Sequence, residues 1–360
     1  MTQTAHTVSS AAMTASERPS AAPVITFVVP AYNMANYLDR CLRSLLSSQA
    51  TDIEVIVVDD GSQDATAALA NGWAHKQPGI VHVISQSNKG HGGAVNAGLK
   101  EARGLYIKVV DADDWVDADS LARLLPILRQ QAQTPSPVDM FVSNYVYEKE
   151  GRSHKHVVNF RSVMTPGRLL TWNQLKPFGI AQYMIMHALI FRTDVLREAA
   201  THLPEHTFYV DFIYSYQPLP YVRTLTYLDL DLYRYYTGRS GQSVETAVMI
   251  SRVDQLQLVN ALMVQATPEK GSVPEGLYRY MIHYLSINCT VTSVFLILSK
   301  QAENYRAKEQ LWRNMEANRP HIARDVERTL LCKLINMPGQ PGRLAVRLGY
   351  KLAEAAVGFN

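Results

Sequence analysis

An α/β fold with a mostly parallel, Rossmann-type central sheet is what this 360-residue chain predicts, and three observations carry that expectation. Short apolar runs alternate with helix-period stretches between residues 24 and 115, the pattern of successive βαβ units. Two of the runs, Val24–Val29 and Ile53–Val58, carry a single polar residue each, Thr26 and Glu54, as befits strands covered on both faces. Three of the runs end abruptly in polar clusters: Pro30-Ala31-Tyr32-Asn33, Asp59-Asp60-Gly61-Ser62 and Asp111-Ala112-Asp113-Asp114. In a parallel sheet such ends share one rim, and that rim is where open α/β sheets bind ligands.

The elements follow in order. Val24–Val29 reads as a first strand stopped by Pro30, which has no N–H to give a ladder. Leu38, Cys41, Leu42, Leu45 and Leu46 recur at three- and four-residue spacing and predict a helix facing the sheet. Ile53–Val58 is a second strand, and Ser62 is placed to cap a helix that turns Ala65, Leu69 and Trp73 inward. Ile80–Ile84 is a third. The stretch Asn88–Gly98 does not fit G-x-G-x-x-G and follows the third strand rather than the first. It reads equally as a helix N-terminus open to phosphate or sugar and as a tight loop with close helix packing. Leu105–Val110 is the fourth strand and carries the acidic tip. Asp111, Asp113 and Asp114 place three carboxylates within four residues. A hard divalent cation that also binds substrate phosphate would neutralise them; a solvated turn capping the helix near Asp117 is the alternative. At the shared rim, Tyr32 is suited to stack on a base and Asp60 to accept from a base N–H, although Asp59 and Asp60 also serve as turn residues.

Composition bounds the function. At 47% hydrophobic and 19% charged, the chain is an ordinary globular protein, and a net charge of +3 offers no argument for nucleic acid. From Lys300 onward, however, there are 11 Lys/Arg against 6 Asp/Glu. Cys41, Cys289 and Cys332 are few, odd in number and far apart, which fits reduced thiols in a cytoplasmic setting. Residues 1–23, rich in Ala, Ser and Thr, read as a disordered leader. No run reaches the roughly 18 apolar residues of a membrane span, and Val291–Leu298 reads as a core helix.

Four segments occur together in a recognisable order: Val28-Val29-Pro30-Ala31-Tyr32-Asn33, Val57-Val58-Asp59-Asp60-Gly61-Ser62, Asn88 with Asn96, and Val110-Asp111-Ala112-Asp113-Asp114. Over roughly residues 24–120 the chain thereby resembles the family 2 inverting glycosyltransferases. The resemblance implies a GT-A-like fold, with a nucleotide-sugar half over residues 24–145, an acceptor half over 146–245 and a helical region over 246–360. It implies that Pro30, Ala31, Tyr32, Asn33, Asp60, Asn88, Gly90, Asn96, Asp111 and Ala112 line the nucleotide-sugar site. Asp60 would contact the base and Asp113 the ribose and diphosphate. Asp113 and Asp114 would hold Mn²⁺ or Mg²⁺.

Past residue 120 the signals thin. Leu121, Leu124, Leu125 and Leu128 make a helix, Val138–Val146 and His187–Phe191 read as strands, and residues 205–245 hold eight tyrosines, either sugar platforms or core. Inversion needs a general base for the acceptor hydroxyl. In similar enzymes it is the Asp of a Glu-Asp pair; here Tyr209-Val210-Asp211-Phe212 supplies Asp211, with Val210 in place of the Glu. Helix capping is the competing role for Asp211, and His187 and His206 are rival bases. Arg239 and Gln242, after a Tyr-rich strand, are placed to reach the diphosphate or to form a solvated basic loop. Near the C-terminus Leu344, Leu348 and Leu352 form one helical stripe beside Arg343, Arg347 and Lys351. Such a helix can lie on an anionic membrane, dock on its own domain, or pair copies into a homo-oligomer.

The expectation is a cytoplasmic, metal-dependent transferase that moves a sugar, UDP-linked in this reading, to a hydroxyl of a glycan or lipid-linked acceptor. Two alternatives stand beside it: a sugar-phosphate nucleotidyltransferase, and a sugar- or nucleotide-binding protein with a decayed site.

Overall fold

The computed structural model describes residues 22–149, 151, 155–238 and 242–357. The segment read as a leader falls outside them up to residue 21, as does Arg239. The first part of the chain contains β1 (Ile25–Ala31), α1 (Leu38–Leu45), β2 (Ile53–Asp59), α2 (Thr66–Lys76), β3 (Val81–Ser85), α3 (Gly90–Glu101), β4 (Tyr106–Val109), β5 (Trp115–Val116) and α4 (Ala118–Gln131). There follow β6 (Met140–Lys149), β7 (His156–Val158), β8 (Leu169–Leu170), β9 (Leu189–Arg192), α5 (Thr193–Glu198), α6 (Asp211–Tyr216) and β10 (Leu225–Thr237). The chain closes with α7 (Thr246–Ser251), α8 (Val253–Ala266), α9 (Glu275–Leu298), α10 (Ala302–Asn318), α11 (Pro320–Glu327), α12 (Leu330–Ile335) and α13 (Gly339–Val357).

One sheet runs in the order β3-β2-β1-β4-β9-β6-β10-β5, with β7 added to β6 and β8 to β10. Strands β3, β2, β1 and β4 are parallel, β9 is antiparallel to both its neighbours, β6 and β10 are parallel, and β5 closes one edge antiparallel. This is the α/β, GT-A-like architecture that the sequence predicts, with the helical C-terminal region attached. Every residue of β1 and β2 is buried, which is why their runs carry no polar alternation. The division placed at 145/146 falls inside β6, so both halves supply strands to the same sheet.

Several local expectations are corrected. Strand β1 continues through Pro30 to Ala31, paired with β2 throughout. Its ladder with β4 ends at Val28, so a missing donor at Pro30 breaks no bond on that side. Ser62 caps nothing: its Oγ accepts from the Asn33 N–H, while Asp64 takes the Thr66 N–H at the start of α2. Helix α2 buries Thr66 and Ala70, Leu69 and Trp73 are half-buried, and Ala65 is exposed. The acidic tip does not cap α4 either; the Asp117 side chain does, accepting from Ser120. His187 precedes β9 in a short 3-10 turn. Helix α9, at 24 residues, is long and apolar enough to cross a membrane by length and composition, contrary to the reading of the sequence. It is instead the hub on which α8, α10, α11, α12 and α13 pack, and 72% of its apolar window is buried. Gly276 lets α9 press on the Trp172 backbone, since a Cβ there would lie 2.2 Å from the Trp172 carbonyl oxygen.

Candidate functional site

The ends of β1 and β2 are knitted together. Asn33 takes a left-handed conformation at φ 55°, which short polar side chains tolerate, and its Oδ1 accepts from Gln63 N–H at 2.8 Å. The Asp60 N–H reaches the Ala31 carbonyl at 2.9 Å. These bonds hold the Tyr32 ring out at the rim, 45% exposed. Asp60 itself is buried. Its Oδ1 accepts from Gln86 Nε2 and Lys89 N–H, and Asn88 Nδ2 donates to the Asp60 carbonyl. Asp60 and Asn88 thus fix the loop that leads into α3.

The glycines of α3 resolve the ambiguity of that stretch towards close packing. A Cβ at Gly90 would lie 3.0 Å from the His206 backbone, one at Gly92 2.4 Å from the Pro204 carbonyl, and one at Gly98 2.2 Å from Val28 Cγ1. Asn96 grips Leu203 at both backbone groups: Nδ2 donates to the carbonyl at 2.8 Å and Oδ1 accepts from the N–H at 2.9 Å. Asn96 also lines a cleft of about 620 Å³ between α3 and α5 that includes none of the acidic tip. Helix α3 therefore buttresses residues 203–206, which lead into α6. His206, a rival base, is exposed and contributes its backbone N–H to the Lys89 carbonyl.

The acidic tip is pinned from several elements. Arg40 from α1 donates to the Asp113 carbonyl, its guanidinium 3.8 Å over the Trp115 ring. Asp114 is buried; Tyr233 Oη donates to its Oδ2 at 2.6 Å and Tyr236 N–H to its Oδ1 at 2.7 Å, both from β10. Burial, then the Asp113 and Asp111 carboxylates, push the Asp114 carboxyl well above the usual range, against those two hydrogen bonds. Asp111 and Asp113 are half-buried. The Asp111 carboxylate meets His91 Nε2 at 2.8 Å. Burial opposes the charge on His91, yet the Asp111 charge and hydrogen bond outweigh it and raise the imidazole above its ordinary value.

A cation site is supported by the donor set. Among the described residues, ligand atoms of Asp111, Asp114 and His187 lie within 4.8 Å of one another. His187 is buried, and its Nδ1 has no hydrogen-bond partner. Its ring stacks on Tyr233 at 4.5 Å, and burial depresses its pKa to about 4, leaving the neutral form that ligates metal. Two carboxylates and an unsatisfied imidazole fit a divalent cation. Asp113, paired with Asp114 in the sequence reading, is outside this trio, and His187 joins it. The buried Lys108 Nζ donates to the His187 carbonyl at 2.7 Å and so fixes the turn that carries the ring.

Asp211 opens α6. Tyr209, two residues earlier, holds φ 64°, a left-handed conformation costly for an aromatic residue. Burial raises the Asp211 carboxyl to about 6; the nearby His91 pulls it down and Asp111 pushes it up, so the three groups share one electrostatic neighbourhood. The structure thus gathers Asp211, His91 and the acidic tip. Gln242 is not free to reach a diphosphate in this conformation: its Nε2 donates to the Tyr236 carbonyl and its Oε1 accepts from Gly238 N–H. His91 and Tyr233 were missed from sequence. Tyr233 was one of eight tyrosines, and His91 sat unmarked in the glycine stretch.

Residues 26–196 match the profile of Glycosyl transferase family 2. Over these residues the chain is similar to the family 2 glycosyltransferases. The matched relatives include the glycosyltransferase GlyA of Streptococcus pneumoniae, 36% identical over 137 residues, which are 37% of this chain and 19% of that protein. The succinoglycan biosynthesis protein ExoO of Rhizobium meliloti is 45% identical over 103 residues, 29% of either chain. This chain therefore spans well under two thirds of these relatives. Among solved structures, S. aureus TarS residues 1–349 in complex with UDP superposes with a TM-score of 0.62 at 18% identity, covering 91% of both chains. The mannosyltransferase PcManGT of Pyrobaculum calidifontis, in complex with GDP-Man and Mn²⁺, gives 0.51 at 17% identity, covering 91% of this chain and 87% of that one. At these identities the likeness is one of fold.

Proposed function

We propose that this glycosyltransferase moves a sugar from a nucleotide-diphosphate donor, UDP-linked in the preferred reading, to a hydroxyl of a glycan or lipid-linked acceptor with inversion, in the cytoplasm. The observation that carries the proposal is the approach of Asp211, an acid of pKa about 6 beside His91, to the Asp111–Asp114 tip. A half-buried carboxylate of raised pKa is a stronger base than a solvated one and still ionised at neutral pH. Asp211 takes the acceptor proton as the oxygen attacks the anomeric carbon from the face opposite the diphosphate. Tyr32 stacks on the base, and Asp60 and Asn88 shape the loop around it. Asp111, Asp114 and His187, with Asp113 beside them, would hold Mn²⁺ or Mg²⁺. When bound, such an ion offsets charge on the leaving diphosphate. The similar structures described with UDP and with GDP-Man and Mn²⁺ support a nucleotide donor and a metal.

Incubation with a panel of UDP- and GDP-sugars and Mn²⁺, followed by nucleotide release, tests the reading. Release of the free diphosphate is expected. Release of pyrophosphate from a nucleoside triphosphate plus a sugar phosphate would instead select the nucleotidyltransferase, and no turnover of any donor would select the decayed site.

A further inference from the structure

We propose that the outer face of α12 and α13 seats on an anionic lipid bilayer. Six of the thirteen large apolar side chains exposed among the described residues fall within residues 330–352: Leu330, Leu334, Met337, Leu344, Leu348 and Leu352, between 40% and 72% exposed. Scattered single leucines are ordinary on a surface, whereas this concentration in one short stretch is not. Leu330 and Leu334 are one helical turn apart on α12, and Leu344, Leu348 and Leu352 follow each other by turns on α13.

These side chains are not needed to hold the helices down. The inward face of α13 is already satisfied. Val346 and Tyr350 pack on the core, with Tyr350 against Phe295 at 5.7 Å and its hydroxyl 2.8 Å from Thr246 Oγ1. Arg343 lies 4.8 Å over the Tyr305 ring, and Arg347 donates to the Tyr305 hydroxyl. The corner between the helices is closed, because a Cβ at Gly342 would fall 2.2 Å from the Met337 carbonyl. The leucine stripe is thus presented outward by a fixed support.

Charge decides the occupant. Residues 330–352 contain Lys333, Arg343, Arg347 and Lys351 and no Asp or Glu. Lys333 and Lys351 are exposed, each beside a leucine of the stripe. A second copy of the chain meeting this face isologously would set the same cations against each other. A bilayer with anionic headgroups offers both an apolar interior for the leucines and charge of the opposite sign for the lysines. This surface is remote in sequence from the transfer site and stands independently of the reading given to it.

Co-sedimentation of the full chain with phosphatidylcholine vesicles, with and without phosphatidylglycerol, tests this without any nucleotide. The chain is expected to pellet with the anionic vesicles at low salt and to be released at high salt. Leu344→Ser with Leu348→Ser should lower the bound fraction by at least about tenfold, and Lys333→Glu with Lys351→Glu should abolish the preference for anionic lipid. Both pairs are solvent-facing, and unchanged circular dichroism and melting would show intact folds. Donor-only nucleotide release should persist in both, separating this proposal from that of transfer. Failure of the parent chain to pellet, equal pelleting with neutral vesicles, or unchanged binding by the leucine pair would overturn the inference. A dimer in sedimentation velocity that the leucine pair dissolves would overturn it in favour of a second copy.

Discussion

Replacing Asp211 with Asn separates catalysis from stability, because the two should move in opposite directions. The carboxyl is raised from 3.8 to about 6, chiefly by burial. A folded-state pKa above the unfolded one means that the native state favours the neutral acid. Stability from this group is then full below about pH 4 and lost as pH rises through about 6. A difference of roughly two units corresponds to ~3 kcal/mol at neutral pH, an upper bound since the residue is partly exposed. Asp211→Asn keeps the shape, removes the half-buried charge, and should raise the melting temperature by a few degrees at pH 7.5 while erasing the gain below pH 4. The same variant should lose transfer by roughly a hundred- to ten-thousand-fold with UDP affinity intact. In the parent enzyme kcat/KM should climb about tenfold per pH unit up to pH 6 and then level off. Transfer to an acceptor, calorimetry with UDP, and differential scanning between pH 4 and 8 provide the readouts. Retained turnover in Asp211→Asn would refute its assignment as the base, and a variant less stable at pH 7.5 would refute the account of its pKa.

Asp114→Ala should abolish Mn²⁺-dependent UDP binding in calorimetry, whereas Tyr233→Phe, which removes one donor to that carboxylate but not the carboxylate, should retain it. Asn96→Ala breaks both bonds to Leu203 and should cost about 1–3 kcal/mol in denaturant unfolding, with transfer impaired more than UDP binding because residues 203–206 lead into α6. Gly98→Ala forces a methyl against Val28 and should cost about 1–3 kcal/mol; adding Val28→Ala should return part of it, a coupling that a double-mutant cycle measures.

The strand ends were legible in the sequence because two-sided burial writes largely apolar runs and the rim ends them in clusters of polar residues. Asp60 and the acidic tip were placed on one edge for that reason, and β1, β2 and β4 do end side by side. What the sequence could not show was reach across the chain. Asn96 carries a motif position, but its partner is 107 residues away at Leu203. Tyr233 bonds Asp114 across 119 residues. His187 was only a rival base at the head of an apolar run, and its buried, unpartnered Nδ1 emerges only when β9 lies beside β4. Pro30 and Ser62 misled for a local reason. A proline or serine has a general preference, and the neighbouring strand or an adjacent Asp64 decides whether that preference is used.

The contact of the α3 glycines with residues 204–206 has a consequence for anyone recombining such enzymes. Any chimera that imports a foreign 200–216 segment to change acceptor preference brings with it a new backbone path over Gly90 and Gly92. Those positions admit no side chain, so the graft must travel with its own cognate 88–98 segment. The unit of exchange is a pair of discontinuous pieces, not a contiguous cassette.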